Sequence, residues 1–305
     1  MPTVSVIVPT LDDRDYLEEA LKSILAQSFW DYEVIVVDGG SSDQSLAVIR
    51  RYEKRISWFR QSGKGVSRAK NEAIAKARGE YITFLDGDDL WYPEKLEIQV
   101  NFLSDHPEYG FCSSDVDFFD EEVIIIKGAI STEKKPRSGY VFDELFTNNF
   151  ISSATIMLRR ECFDRVGNFD EEIFFAEDTD MWLRVAKEFK LGYIPKSLAK
   201  YRVHPGARTQ QFAKHYASLE KIYGKLNQLY PEYFRQRPTL LRAARFNLYR
   251  RWAYRHFEAG EYAASRRLFI KALKYNPRSI FAWKYILSSF LPASLIQAVK
   301  AKKNN

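Results

Sequence analysis

A few polar residues at the ends of apolar runs have the types and spacing to do chemistry. Asp86, Asp88 and Asp89 fall directly after the run Tyr81-Ile82-Thr83-Phe84-Leu85. Asp38 follows a second run, Glu33-Val34-Ile35-Val36-Val37, and opens the turn Gly39-Gly40-Ser41-Ser42-Asp43. Glu177 and Asp178 begin a helical pattern, and His204 follows a strand-like run and precedes Pro205-Gly206. Carboxylates this close together repel one another unless a cation or solvent separates them. Hard divalent ions such as Mg²⁺ take oxygen ligands and often share them with substrate phosphates. A solvated acidic turn is the plain alternative. The position at the end of a buried strand favours a ligand, because open α/β sheets bind ligands at the carboxyl ends of their strands.

The elements that position these groups can be read from the apolar spacing. Val4-Ser5-Val6-Ile7-Val8-Pro9 is a β-branched run of the buried-strand type. Leu17, Leu21, Ile24 and Leu25 then share one face of a helix over 16–27, and Leu46, Ile49 and Tyr52 mark the helix after the second strand. Ser67 to Arg78 reads as a further helix, with Gly79 at its C-cap. Tyr81–Leu85 is a third strand, and Pro93 sits where a helix would start. This βαβαβ rhythm predicts a mostly parallel sheet covered by helices. Short strands follow, including Val123–Ile126, Ile151–Leu158 and Leu198–Val203, with a helix over Asp178–Phe189 between the last two. Beyond residue 205 every pattern is helical. Glu258 to Pro277, broken at Gly260, resembles a single tetratricopeptide-like hairpin that packs on neighbouring helices.

Composition narrows the classes. Of 305 residues 46% are hydrophobic and 28% charged, a globular balance that excludes wholesale disorder. Cys112 and Cys162 are too few for a disulfide framework or a zinc cluster and suit a reducing compartment. The first strand begins at Val4, so no signal peptide is expected, and a cytoplasmic protein is. Residues 206–305 carry 20 Lys and Arg against 4 Asp and Glu, whereas the rest carries 26 against 36. A basic tail on an acidic body suggests two jobs: an anionic surface such as lipid headgroups for the tail, and a metal or acid–base site for the body. The apolar stretch Ile280–Val299 is interrupted by Lys284, Pro292 and Gln297, so it is expected to lie on a membrane or pack on helices rather than to span.

Five motifs in order over residues 3–205 resemble family 2 glycosyltransferases of GT-A fold. They are Val4–Pro9 with Thr10, Val36–Asp43, Gly65-Val66-Ser67 through Asn71, Gly79 through Asp89, and Ala176-Glu177-Asp178-Thr179-Asp180-Met181-Trp182. The resemblance implies an α/β, Rossmann-like mixed sheet flanked by helices. Residues 1–205 would form the transferase domain, with a nucleotide-sugar half to about 110 and an acceptor half from 111. Residues 206–305 would form the all-helical appendage. It implies an inverting, metal-dependent transfer from a nucleoside-diphosphate sugar to a hydroxyl of a glycan or lipid-linked acceptor. Carried over by position, Pro9 and Thr10 border the nucleotide, Asp38 faces the base edge, and Lys70, Asn71 and Asp86 complete the donor site. Asp88, Asp89 and His204 would hold Mg²⁺ or Mn²⁺. Asp178, beside Glu177, would be the catalytic base. Two departures stand out: Lys70 replaces the arginine common before the asparagine, and Gly39 replaces the second aspartate of the VVDDGS pattern.

Other classes fit less well. A sugar nucleotidyltransferase needs a basic, Gly-rich loop after its first strand, where this chain has Thr10-Leu11-Asp12-Asp13. A dinucleotide dehydrogenase needs GxGxxG at the same place. A catalytically inactive basic adaptor is the remaining alternative, and the intact aspartates speak against it. No nucleic-acid partner is expected.

Overall fold

The computed structural model describes residues 1–120, 123–134, 136–206 and 211–291. The chain divides into two compact units, Met1–Leu145 with Asn149–Ala207, and Phe146–Asn148 with Arg208–Asn305.

The first unit is built on one sheet. Its opening strands β1 (Val4–Thr10) and β2 (Tyr32–Asp38) are the β-branched runs, buried almost end to end. Helix α1 (Leu17–Leu25) buries Leu17, Ala20, Leu21 and Ile24 along one face. After α2 (Ser45–Arg51) comes β3 (Ser57–Arg60), a strand the apolar spacing does not announce. It is a four-residue edge strand with half its residues exposed, so it lacks the continuous apolar signature of a central strand. Next come α3 (Val66–Lys76), β4 (Tyr81–Phe84), β5 (Leu90–Trp91) and α4 (Lys95–Asp105). The remainder comprises β6 (Tyr109–Asp120), β7 (Val123–Ile126), α5 (Ala129–Lys134), α6 (Phe142–Thr147, its last two residues counted with the second unit), β8 (Met157–Arg159), α7 (Glu161–Val166), α8 (Glu177–Glu188) and β9 (Lys190–Arg202).

Among the described residues the sheet runs β3-β2-β1-β4-β8-β6-β9-β5, with β7 on β6. Strands β3, β2, β1 and β4 are parallel, and β8 joins β4 antiparallel, so the sheet is mixed. Strand order reverses at β1, between β2 and β4, which opens a crevice at their carboxyl ends. In register, Thr10 lies opposite Asp38 and Ile7 opposite Phe84, so the turns after all three strands emerge at one edge.

Two expectations need correction. Helix α3 ends at Lys76 with Ala77 as its cap, so Gly79 is not a C-cap. Gly79 is required for space: a Cβ there would stand 2.5 Å from the Ser5 amide nitrogen. The strand expected over 151–158 is shorter, because Ser153–Thr155 form a 3₁₀ turn before β8.

The second unit comprises α9 (Phe212–Leu229), α10 (Pro231–Gln236), α11 (Pro238–Glu258), α12 (Tyr262–Leu273) and α13 (Ile280–Ser288). Tyr249, Ala253, Leu268, Phe269, Ala272, Ala282 and Ile286 make its buried core. Gly260, at φ +79°, turns the chain between α11 and α12. Among the described residues no helix is long and apolar enough to cross a membrane. Residues 292–299 of the stretch singled out above lie outside the described residues.

A buried lysine gives the sheet a pH signature. Lys95 is fully buried; its Nζ donates to Thr83 Oγ1 at 3.0 Å and to Gln99 Oε1 at 2.6 Å. Burial pushes its ammonium down to about 7. The unfolded chain keeps the ordinary lysine value, so between about pH 7 and 10 it holds the extra proton and folding stability rises with pH. Lys95→Met should flatten that rise in a series of thermal midpoints across this range. An unchanged slope in the variant would show that Lys95 is charged when folded.

Candidate active site

The turns after β1 and β2 are fastened to each other by their own side chains. Asp38 is buried; it accepts from the Ser41 amide at 2.9 Å and from Arg60 Nε at 2.8 Å. Burial alone would raise its carboxyl, but the Ser41 bonds and Arg60 outweigh that and hold it below the usual range. Asp12 takes up the left-handed conformation (φ 58°) and accepts from the Ser42 amide at 2.7 Å. Pro9 lies inside β1 opposite Val37, and the Thr10 carbonyl accepts from the Gly39 amide at 2.8 Å. Thr10 Oγ1 donates to Asp13 Oδ2 at 2.8 Å.

Asp13 belongs to the acidic cluster although its spacing did not mark it. It packs against Gly87, where a Cβ would come within 2.6 Å of Asp13 Oδ2. Burial first, then the nearby Asp88 and Asp86, push its carboxyl up to about 6 despite the bonds from Thr10 and Leu11. The Asp86-Gly87-Asp88-Asp89 turn therefore needs glycine at its second position so that Asp13 can approach.

The three aspartates of this turn have separate surroundings. Asp89 is buried and accepts from the Arg202 amide at 2.9 Å; burial, then Asp88 and Asp86, raise it well above the carboxylate range. Asp88 keeps a partly exposed carboxylate whose Oδ2 lies 3.0 Å from His204 Nε2. Asp86 lies close enough to the Lys70 ammonium to help hold it charged. Among the described residues no group of three His, Cys, Asp or Glu side chains is arranged to hold a metal. Asp88 and His204 together supply one hard oxygen and one imidazole nitrogen. The Asp88 oxygen is of the kind that would hold Mg²⁺ or Mn²⁺, with the His204 nitrogen as a second donor at its side.

Helix α8 brings the second set of acids. Ala176 caps its start in the left-handed region (φ 57°), a conformation that costs an alanine on the order of 1 kcal/mol. Glu177 is buried and accepts from Lys70 Nζ at 3.1 Å. Asp178 accepts from Ser153 Oγ at 2.9 Å and from the Thr179 amide at 2.6 Å. Lys70 is itself buried, with its ammonium 5.2 Å from the Phe169 ring centre and 5.8 Å from that of Phe84. Burial would lower it, but Glu177, Asp86 and Asp178 outweigh that and hold it above its ordinary range. One buried cation thus faces acids from both the turn after β4 and the start of α8.

Asn71, expected in the donor site, hydrogen-bonds to the main chain of Phe169. Its Oδ1 accepts from the Phe169 amide at 2.9 Å and its Nδ2 donates to the Phe169 carbonyl at 2.9 Å. It clamps the segment that leads into α8. Trp182 packs edge-on to Phe169 in the core, as its apolar neighbours in the sequence suggest. Arg60, Arg202 and Ser153 join the cluster without sequence warning, because each reaches it from a distant element.

Comparison with known proteins places this arrangement. The model of the family described as glycosyl transferase family 2 matches residues 5–167. An uncharacterized glycosyltransferase of Rickettsia conorii is 33% identical over 208 residues, 68% of this chain but 34% of its own length. The chain thus spans about a third of that relative. The putative teichuronic acid biosynthesis glycosyltransferase TuaG of Bacillus subtilis is 31% identical over 207 residues, 66% of this chain and 79% of the relative. Among solved structures, the mannosyltransferase PcManGT from Pyrobaculum calidifontis, in complex with GDP-Man and Mn²⁺, superposes with a TM-score of 0.66 at 21% identity. The superposition covers 99% of this chain and 80% of that one. S. aureus TarS 1-349 in complex with UDP-GlcNAc gives 0.61 at 16% identity, over 94% and 89% of the two chains. At these identities the likeness is one of fold, and the fold is GT-A.

Proposed function

The chain belongs to glycosyltransferase family 2, and on that premise we propose that it moves a sugar, with inversion, from a nucleoside-diphosphate sugar to a hydroxyl of a glycan or lipid-linked acceptor. The observation that carries this reading is the Asp88–His204 pair, 3.0 Å apart at the carboxyl edge of the sheet. The structural neighbours that hold GDP-Man and UDP-GlcNAc support such a donor. The teichuronic acid relative supports a glycan acceptor. Residues 1–205 form the transferase domain in this reading, the donor occupying the half up to about 110 and the acceptor the half from 111. Residues 206–305 are the helical appendage.

The residues divide the work by their surroundings. Pro9, Thr10 and Asp38 line the nucleotide side, with Asp38 kept ionised and oriented by Arg60 and Ser41. Asp86 binds the donor beside them. Asp88 and His204 hold Mg²⁺ or Mn²⁺, which when bound offsets the negative charge that grows on the leaving diphosphate. Asp89, turned to the Arg202 amide, braces the turn. Asp178 accepts the proton of the attacking hydroxyl, and Ser153 and the Thr179 amide fix its carboxylate for that step. Glu177, bonded to Lys70, fixes the start of α8 beside Asp178, and the Lys70 charge acts on both acids.

The helical unit adds a surface. Residues 211–291 hold 16 Lys and Arg against 4 Asp and Glu. Ile280, Trp283 and Leu287 on one face of α13, followed by Phe290, are exposed beside Lys284. Basic charge around an exposed apolar face supports reversible docking on anionic lipid, where a lipid-linked acceptor resides.

Three measurements follow from this reading. EDTA and Asp88→Asn should each abolish divalent-metal-dependent hydrolysis of a donor panel of UDP- and GDP-sugars, and full turnover in EDTA would sink the metal. Asp178→Asn should lower transfer by about 10²-fold or more with nucleotide affinity nearly intact. A product that retains the donor's anomeric configuration would exclude a single displacement with Asp178 as base. The full chain should sediment with phosphatidylserine-containing vesicles at low salt, and Leu287→Glu with Phe290→Glu should release it. Equal binding by the double variant would contradict the docking face.

A further inference from the structure

Asp88 and His204 stand 116 positions apart in the chain, so no local turn sets their distance. Asp88 is in the turn after β4, and His204 lies two residues beyond the end of β9. Arg202, the last residue of β9, reaches Asp88 directly and His204 by way of Tyr16. Its Nε donates to the Asp88 main-chain carbonyl at 2.9 Å. Its guanidinium centre lies 4.7 Å from the Tyr16 ring centre on one side and 4.4 Å from that of Phe119 on the other. The Tyr16 ring in turn packs on the His204 imidazole, with centres 4.7 Å apart. Glu19 Oε2 accepts from a terminal nitrogen of Arg202 at 2.7 Å and anchors the far end.

We propose that Arg202, with Tyr16, is a positioning residue for the metal-ligand pair: it holds the Asp88 turn by a hydrogen bond and the His204 ring through the tilted Tyr16 ring packed on it. The proposal rests on the reading of Asp88 and His204 as metal ligands. Two other roles fit the geometry less well. A phosphate-binding arginine would present its guanidinium to the cleft, whereas this side chain is 6% exposed and sandwiched between two rings. A mere counter-charge for the aspartates would need neither a planar group nor a stack. Arginine supplies both in one rigid fork, and lysine supplies neither. Asp89 depends on the Arg202 backbone amide, a bond that any side chain but proline keeps. Exchange of the side chain therefore isolates the bracket from the brace on Asp89.

The test is a Mn²⁺ titration of the full chain, following free Mn²⁺ by electron paramagnetic resonance, with UDP and with GDP as probes. Wild type should retain Mn²⁺, and Arg202→Lys should weaken that retention about 10-fold, the scale seen when groups behind metal ligands are removed. Half-saturating Mn²⁺ for donor hydrolysis should rise by the same factor, and excess Mn²⁺ should restore most of the rate. Nucleotide affinity in EDTA should not move, which a general loss of structure would not spare. Glu19→Gln provides the second variant, because Glu19 is 56% exposed and its loss leaves the core intact. It should weaken Mn²⁺ in the same direction by a smaller factor. Wild type that retains Mn²⁺ beside variants that retain it equally overturns the positioning role alone. A rate loss that excess Mn²⁺ cannot recover overturns it too. Wild type that retains no Mn²⁺ overturns the metal reading with it.

Discussion

Four carboxylates, Asp13, Asp86, Asp88 and Asp89, crowd one edge of the sheet, and their mutual repulsion is the constraint that the surrounding structure answers. Asp89 answers it by burial, which with Asp88 and Asp86 favours the neutral acid against the opposing bond from the Arg202 amide. Asp13 is pushed up to about 6 beside Gly87. Asp86 has the buried Lys70 ammonium nearby. Asp88 is left partly exposed, with its carboxylate against His204.

The same constraint explains why the two ends of the site are tied together. Lys70 is fully buried, and an unpaired ammonium there would be costly. Glu177, Asp86 and Asp178 keep it charged, so the turn after β4 and the start of α8 are held by one cation. Asn71, one residue further along α3, fixes the approach to α8 from the same helix. The turn after β4 and the start of α8 are therefore both held from one helix, α3, through adjacent residues.

Much of this is legible in the chain because strand and site coincide there. β1, β2 and β4 are β-branched or aromatic runs with acids at their ends or in the turns that follow, so the pattern announcing the strand also announces the site. The turns and the order of motifs then identify the family. What escapes is what depends on distant partners. Lys70 meets Glu177 across 107 positions and Asn71 meets Phe169 across 98, so a donor contact and a core clamp look the same in sequence. Arg202 reads as one basic residue in a strand, and only the fold sets it against Asp88 and Tyr16. β3 is missed for the opposite reason: an exposed edge strand has little apolar pattern to read.

The most direct measurement is a crystal structure of the full chain with Mn²⁺ and a nucleoside diphosphate, UDP or GDP. The predicted result is a metal bonded to an Asp88 oxygen, His204 Nε2 and the diphosphate, with the base beside Asp38 and the Lys70–Glu177 pair intact. A nucleotide seated away from the β1–β4 edge, or a metal that reaches the diphosphate without Asp88 and His204, would contradict it.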